Sequence, residues 1–156
     1  MFTLKREDGQ ALVETALSMT VLIVMMLGAV EFGRLAFFAI EVSNSAKAAA
    51  QYAAQSHTTA ADLAGMQQAA KNEYSNPAAL TLISPTSTSG YTCTCVGSTV
   101  AVSCTNNSLT SPSCPGSYME VTVTIQTQVS FDPGIHIPGL PGPFQIKGAV
   151  KQKVLQ

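Results

Sequence analysis

The sequence predicts an α+β chain, in which one long apolar helix leads into a small disulfide-bonded module of one helix and an antiparallel β-sheet. Three observations predict it. No Pro occurs over residues 10–56, while the helix formers Ala, Leu, Met and Glu recur there. From Met119 onward apolar and polar residues alternate, the period of a half-buried strand. All four Cys stand at or beyond position 93, clear of the helix.

Composition narrows the setting. Of 156 residues, 46% are hydrophobic and 11% charged, against about 25% charged in a soluble domain. Part of the chain is therefore built for lipid or for burial against partners. A net charge of −1 argues against nucleic-acid binding through a basic surface, and the hydrophobicity excludes disorder for most of the chain. Charges crowd the first eight residues, thin out to Glu73, and are missing until Glu120. Three regions follow: a leader over 1–9, a long helix over 10–56 whose membrane-crossing part is about 10–30, and an exported α+β module over 57–156.

Residues 15–30 carry no charge. With 10–13 they give an apolar stretch, broken only by Glu14, of the ~20 residues that cross a bilayer as a helix. Lys5 and Arg6 hold the N-terminus in the cytoplasm and place the C-terminal portion outside. A cleaved secretory signal would need a small-residue site such as Ala29, Ala36 or Ala39, but the helical pattern runs on beyond them. Glu31 and Arg34, three residues apart, can pair on one face just outside the lipid. Glu14 separates the readings of this segment. A carboxylate in lipid costs ~2–3 kcal/mol even on translocon scales, so it needs a partner, or a position from which it can snorkel to the interface. Small residues at 11, 18, 28, 33, 46, 50 and 53 offer surfaces for close helix–helix approach.

The exported module opens with Thr59 and Asp62 as a capped helix start, continued by Leu63, Met66, Ala70 and Tyr74 at helical spacing and stopped by Asn76-Pro77. This reads as a helix covering a sheet. Short strands are expected over 80–83, 91–96 and 100–104, in a stretch where half of residues 86–113 are Ser or Thr. The clearest strand covers 119–131, with Val121, Val123, Ile125, Val129 and Phe131 on one face. Phe144, Ile146, Val150 and Val154 repeat the alternation, and the Pro/Gly-rich 132–143 demands a rigid crossing between these two strands. Four Cys outside the cytoplasm read as two disulfides. A Cys93–Cys95 bond is disfavoured, because residues i and i+2 of a strand are ~6.5–7 Å apart at Cα. Each therefore pairs with Cys104 or Cys114. Cys-x-Cys with the later spacings of nine and ten is a poor zinc ribbon.

No motif for an enzyme carries through. There is no Gly-x-Ser-x-Gly, no His-Glu-x-x-His and no phosphate-binding glycine loop. His57 and His136 read as solvent-facing, and Asn106-Asn107-Ser108 is a cheap three-residue sequon. No cofactor is expected.

The N-terminal string resembles a known family. Lys5-Arg6-Glu7-Asp8-Gly9-Gln10-Ala11-Leu12-Val13-Glu14 is similar to the cleavage region of type IV prepilins, a basic leader and a Gly followed by an apolar helix with Glu at its fifth residue. Together with Glu31-Phe32-Gly33-Arg34 and the Ala-rich run ending Gln51-Tyr52-Ala53, it resembles the TadE-like pseudopilins of tight-adherence (Tad) pilus systems. Two positions depart from that pattern: Thr15 replaces the usual Phe or Tyr, and Gln51 the usual Arg. The resemblance implies cutting between Gly9 and Gln10 by a prepilin peptidase, and assembly with other pilin or pseudopilin subunits through Glu14, beside Glu31 and Arg34. It also implies a bacterial inner-membrane location, an assembly platform there as partner, and passage into an extracellular filament that serves adhesion. The alternative from a different class is a single-pass receptor or adhesin whose exported sheet binds a surface ligand. Such an anchor has no use for Glu14.

Overall fold

The computed structural model describes residues 6–83, 91–104, 114, 118–134 and 142–154. Helix α1 runs Arg6–Ala53, 48 residues and hence ~72 Å at 1.5 Å per residue. Two short helices follow, α2 (His57–Ala61) and α3 (Leu63–Asn72). The strands are β1 (Thr81–Ile83), β2 (Tyr91–Cys95), β3 (Ala101–Val102), β4 (Met119–Phe131) and β5 (Phe144–Lys153).

β4 is the spine of the sheet. β5 pairs along one edge over residues 122–131. β2 and β1 share the other edge, against 119–123 and 126–128, and β3 adds beyond β2. Every pairing is antiparallel, which is the α+β architecture that the alternation predicts. Val121, Val123, Ile125, Val129 and Phe131 are all buried on one face of β4. β5 is largely exposed, Gly148 being its one buried residue, and beyond it the backbone N–H of Val154 donates to the Val121 carbonyl at 2.9 Å.

The last third of α1 covers this face. Val42, Ala46, Ala49, Ala50 and Ala53 recur every three or four residues and are fully buried. This corrects one expectation: Ala46, Ala50 and Ala53 pack inside their own module and are not free for a neighbouring helix. Their small side chains let the helix approach the sheet closely. Gly148 of β5 sits so near that a Cβ there would lie 2.7 Å from the Val42 carbonyl oxygen. Directly opposite Gly148 in the register, the buried Thr127 hydroxyl donates to that same carbonyl at 2.8 Å. A glycine in a strand marks such backbone approach. Gly148→Ala should destabilise the module by ~1–3 kcal/mol, the usual cost of forcing a methyl into a packed core. Urea unfolding of the full chain in detergent measures it, and an unchanged midpoint would show that α1 can lift without loss.

The single helix expected from Thr59 is two helices. Ser56 caps α2 by accepting from the Thr59 N–H at 3.1 Å, while the Thr59 hydroxyl accepts from the Ser56 N–H at 2.9 Å. Thr59 is thus the third residue of a reciprocal capping box. Asp62 leaves helical geometry, with φ −86° and ψ 84°, and caps α3 by accepting from the Gly65 N–H at 3.0 Å. Its other oxygen accepts from the Tyr52 hydroxyl of α1 at 2.7 Å, which ties α3 to the long helix. The Gly65 N–H and the Tyr52 hydroxyl hold the Asp62 carboxyl below its ordinary pKa, and the same bond raises that of Tyr52. Gly65 faces the Tyr52 ring and the Asp62 carboxylate so closely that no side chain fits. Met66, Ala70 and Tyr74 are buried as the spacing predicts, whereas Leu63 is exposed.

Both disulfides are formed within the pairs that the spacing leaves open. Cys93 bonds Cys104 and Cys95 bonds Cys114, each with Cα atoms 5.5 Å apart. Cys93 and Cys114 are buried, so the sulfurs extend the core beside β2. His57 is the first residue of α2, while His136 and the Asn106-Asn107-Ser108 sequon lie outside the described residues.

Candidate functional site

The first two thirds of α1 leave the module behind. From Leu12 to Val30 the large apolar side chains are about half to three quarters exposed. Among the described residues this is the one helix long and apolar enough to cross a membrane, and its apolar window is wholly unburied. Two threonine hydroxyls along it are satisfied internally. The Thr15 hydroxyl donates to the Ala11 carbonyl and that of Thr20 to the Ala16 carbonyl, each at 2.8 Å. That arrangement suits a helix in lipid, where an unmet hydroxyl is expensive. Thr15, a departure from the family pattern, therefore adds no unpaired polar group.

Glu14 differs from these threonines. It stands exposed on the helix surface, and the residues one turn to either side, Gln10, Ala11, Leu17 and Ser18, are uncharged. A carboxylate has no proton to give to a backbone carbonyl, so it cannot make the internal bond that the threonines make. Upstream, α1 already begins at Arg6, so Gly9 lies in the first helical turn. The first turn is the part of a helix whose N–H groups lack internal partners, and the position of a Cβ on Gly9 meets only open space.

Glu31 and Arg34 pair as expected, with Nη1 3.0 Å from Oε1 and 3.2 Å from Oε2. The structure adds what sequence reading missed. The Arg34 guanidinium lies over the Phe131 ring, 5.7 Å from its centroid, and Phe131 makes an edge contact with Phe38 at 5.4 Å. A Cβ on Gly134, just past β4, would lie 2.9 Å from Glu31 Oε1 and 3.0 Å from Arg34 Nη1. The ion pair therefore buttresses the junction of α1 with the end of β4. A partly exposed i,i+3 pair is worth little alone, and the stacking on Phe131 makes Arg34 a hinge pin rather than a free surface charge. The only sequence signal for it is the Phe at the end of an alternating strand; its helical partner is far away in the chain.

The arrangement is a long, exposed apolar helix, long and apolar enough to cross a membrane, with a carboxylate near its start and its far end docked on a small disulfide-bonded antiparallel sheet. Residues 9–56 match the model of the TadE-like protein family, in agreement with the resemblance carried by Gly9, Glu14 and Glu31–Arg34. The matched segment is α1 almost in full, plus the turn into α2. The match supports a pilin-like subunit associated with a Tad pilus, and it is a match to pilus structural components rather than to enzymes. Comparison with curated proteins and with solved structures found no match.

Proposed function

We propose that this chain is a pseudopilin that enters or primes a Tad-type filament. In this reading it is inserted in a bacterial inner membrane with residues 1–9 in the cytoplasm and residues 57–156 outside. A prepilin peptidase removes the leader between Gly9 and Gln10. The freed α-ammonium of a neighbouring subunit then meets Glu14, the pairing that a carboxylate in a low-dielectric helix bundle requires. The inner-membrane assembly platform draws the subunit into a filament that serves surface adhesion, with this chain as a minor component. The observation that carries the reading is Glu14, exposed and without a charged neighbour on an apolar helix that matches the TadE-like model.

Mass spectrometry of the mature protein from its native host tests the processing step. Gln10 is expected as the N-terminal residue. An intact leader in assembled material would overturn the pilin reading and favour a simple anchored adhesin.

A further inference from the structure

Where α1 meets the sheet, a groove of about 780 Å³ opens between the helix and the ends of β4 and β5. Its helix wall includes Val24, Leu27 and Phe32; its sheet wall includes Phe131, Pro133 and Phe144. We propose that this groove is filled by lipid chains of the outer leaflet, so that the end of the β4–β5 pair is seated in the membrane and Glu31–Arg34 lies at headgroup depth. This rests on reading α1 as a membrane span, and it adds an interaction surface that the anchor alone does not require.

Continuity with the span identifies the occupant. A span starting at Gln10 and ~20 residues long ends near Val30, and Val24 lies ~9 Å short of that end at 1.5 Å per residue. The helix wall of the groove is therefore the last part of the lipid-facing surface itself. Phe131, Pro133 and Phe144 share the groove with those residues, and Phe131, stacked against Arg34 and Phe38, marks its headgroup end. The exposed side chains fit that boundary: Phe32 is 74% exposed and Phe144 37%, and apolar aromatics on a partly exposed surface are the residues that enter the acyl boundary. At the rim, Arg34 keeps 45% of its side chain exposed beside Glu31, leaving N–H donors for a lipid phosphate.

The chain has no Trp, so a single introduced indole reports its own position. Full-length Phe144→Trp, Leu22→Trp and Tyr118→Trp chains are reconstituted at low protein-to-lipid ratio in phosphatidylcholine–phosphatidylglycerol vesicles, with and without brominated acyl chains. Tyr118 adjoins the opposite end of β4, ~40 Å away at the rise of an extended strand, and is 63% exposed. Bromine should quench Phe144→Trp to an extent comparable with the mid-span Leu22→Trp and leave Tyr118→Trp bright. Ile146→Trp, on the same groove, should give the same loss and serves if Phe144→Trp fails to fold. Quenching at 22 with none at 144 or 146 overturns the proposal and leaves the span intact. A blue-shifted, unquenched indole at 144 that responds to protein density means that a second copy fills the groove, which also overturns it. No quenching at 22 removes the span itself and the proposal with it.

Discussion

Glu14→Ala is expected to leave the chain in the membrane with its module folded, yet to lower its recovery in filaments or with pilin partners by two to three orders of magnitude. The two effects separate because the two ends of α1 separate. Glu14 lies 28 residues before Val42, the first fully buried residue of the core, which is ~42 Å along a helix. Among the described residues no disulfide, cap or sheet contact comes near it. Losing the carboxylate makes the span more apolar, so insertion should if anything improve. On the proposed pairing, what disappears is the partner of a neighbour's α-ammonium, and breaking one side of a buried pair costs ~3–5 kcal/mol. At ~1.4 kcal/mol per tenfold, that accounts for the expected loss. Glu14→Gln should fall between, keeping a hydrogen bond without the charge. Membrane and sheared-filament fractions from the same cells give the comparison. Wild-type recovery of the Ala variant with its partners would end the proposed role of Glu14.

The features legible in the sequence are those whose cause is local. β4 runs Met119–Phe131 as its alternation predicts, because one buried and one wetter face impose period two along the strand itself. The long helix is equally plain from the Pro-free, Ala- and Leu-rich run over 10–56. The failures share another cause. Thr59 and Asp62 together suggest one helix start, and only the chain's departure from helical geometry at Asp62 splits it into two caps. Ala46, Ala50 and Ala53 look like an interhelical seam because a small-residue face has the same pattern whether a sister helix or the chain's own sheet covers it. Thr127 and Gly148 sit in the buried registers of β4 and β5, but their purpose depends on Val42, more than eighty residues away. Glu14 is the reverse case. Its cost is legible from position alone, since a carboxylate in an apolar run is costly wherever the rest of the chain folds.

Removing both disulfides should unfold the module while the apolar span of α1 stays in the bilayer. The bonds close segments of 11 and 19 residues, and the chain-entropy treatment assigns about 3 kcal/mol to each, the longer segment exceeding the shorter by ~0.5 kcal/mol. Together that is ~6 kcal/mol, set against a total stability of 5–15 kcal/mol for an ordinary domain. Among the described residues the strand pairing on this side of the sheet is short. β3 is two residues long and pairs only β2, and β2 meets β4 over five residues. Between Glu73 and Glu120 the sequence offers no charge for an ion pair. The buried sulfurs of Cys93 and Cys114 also fill core volume, so Ala replacements add a cavity cost. The apolar window of α1 is not buried by the module, so unfolding the sheet takes no core packing from it. The full chain in bilayer discs, oxidised against dithiothreitol-reduced, gives the test by amide exchange. Protection of the β2 amides of Tyr91–Cys95 should collapse first, with Cys95→Ala/Cys114→Ala slightly less stable than Cys93→Ala/Cys104→Ala, while the span amides stay protected throughout. A reduced chain that keeps β2 protected would show that β4 and the Ala face of α1 hold the sheet without the sulfur bridges.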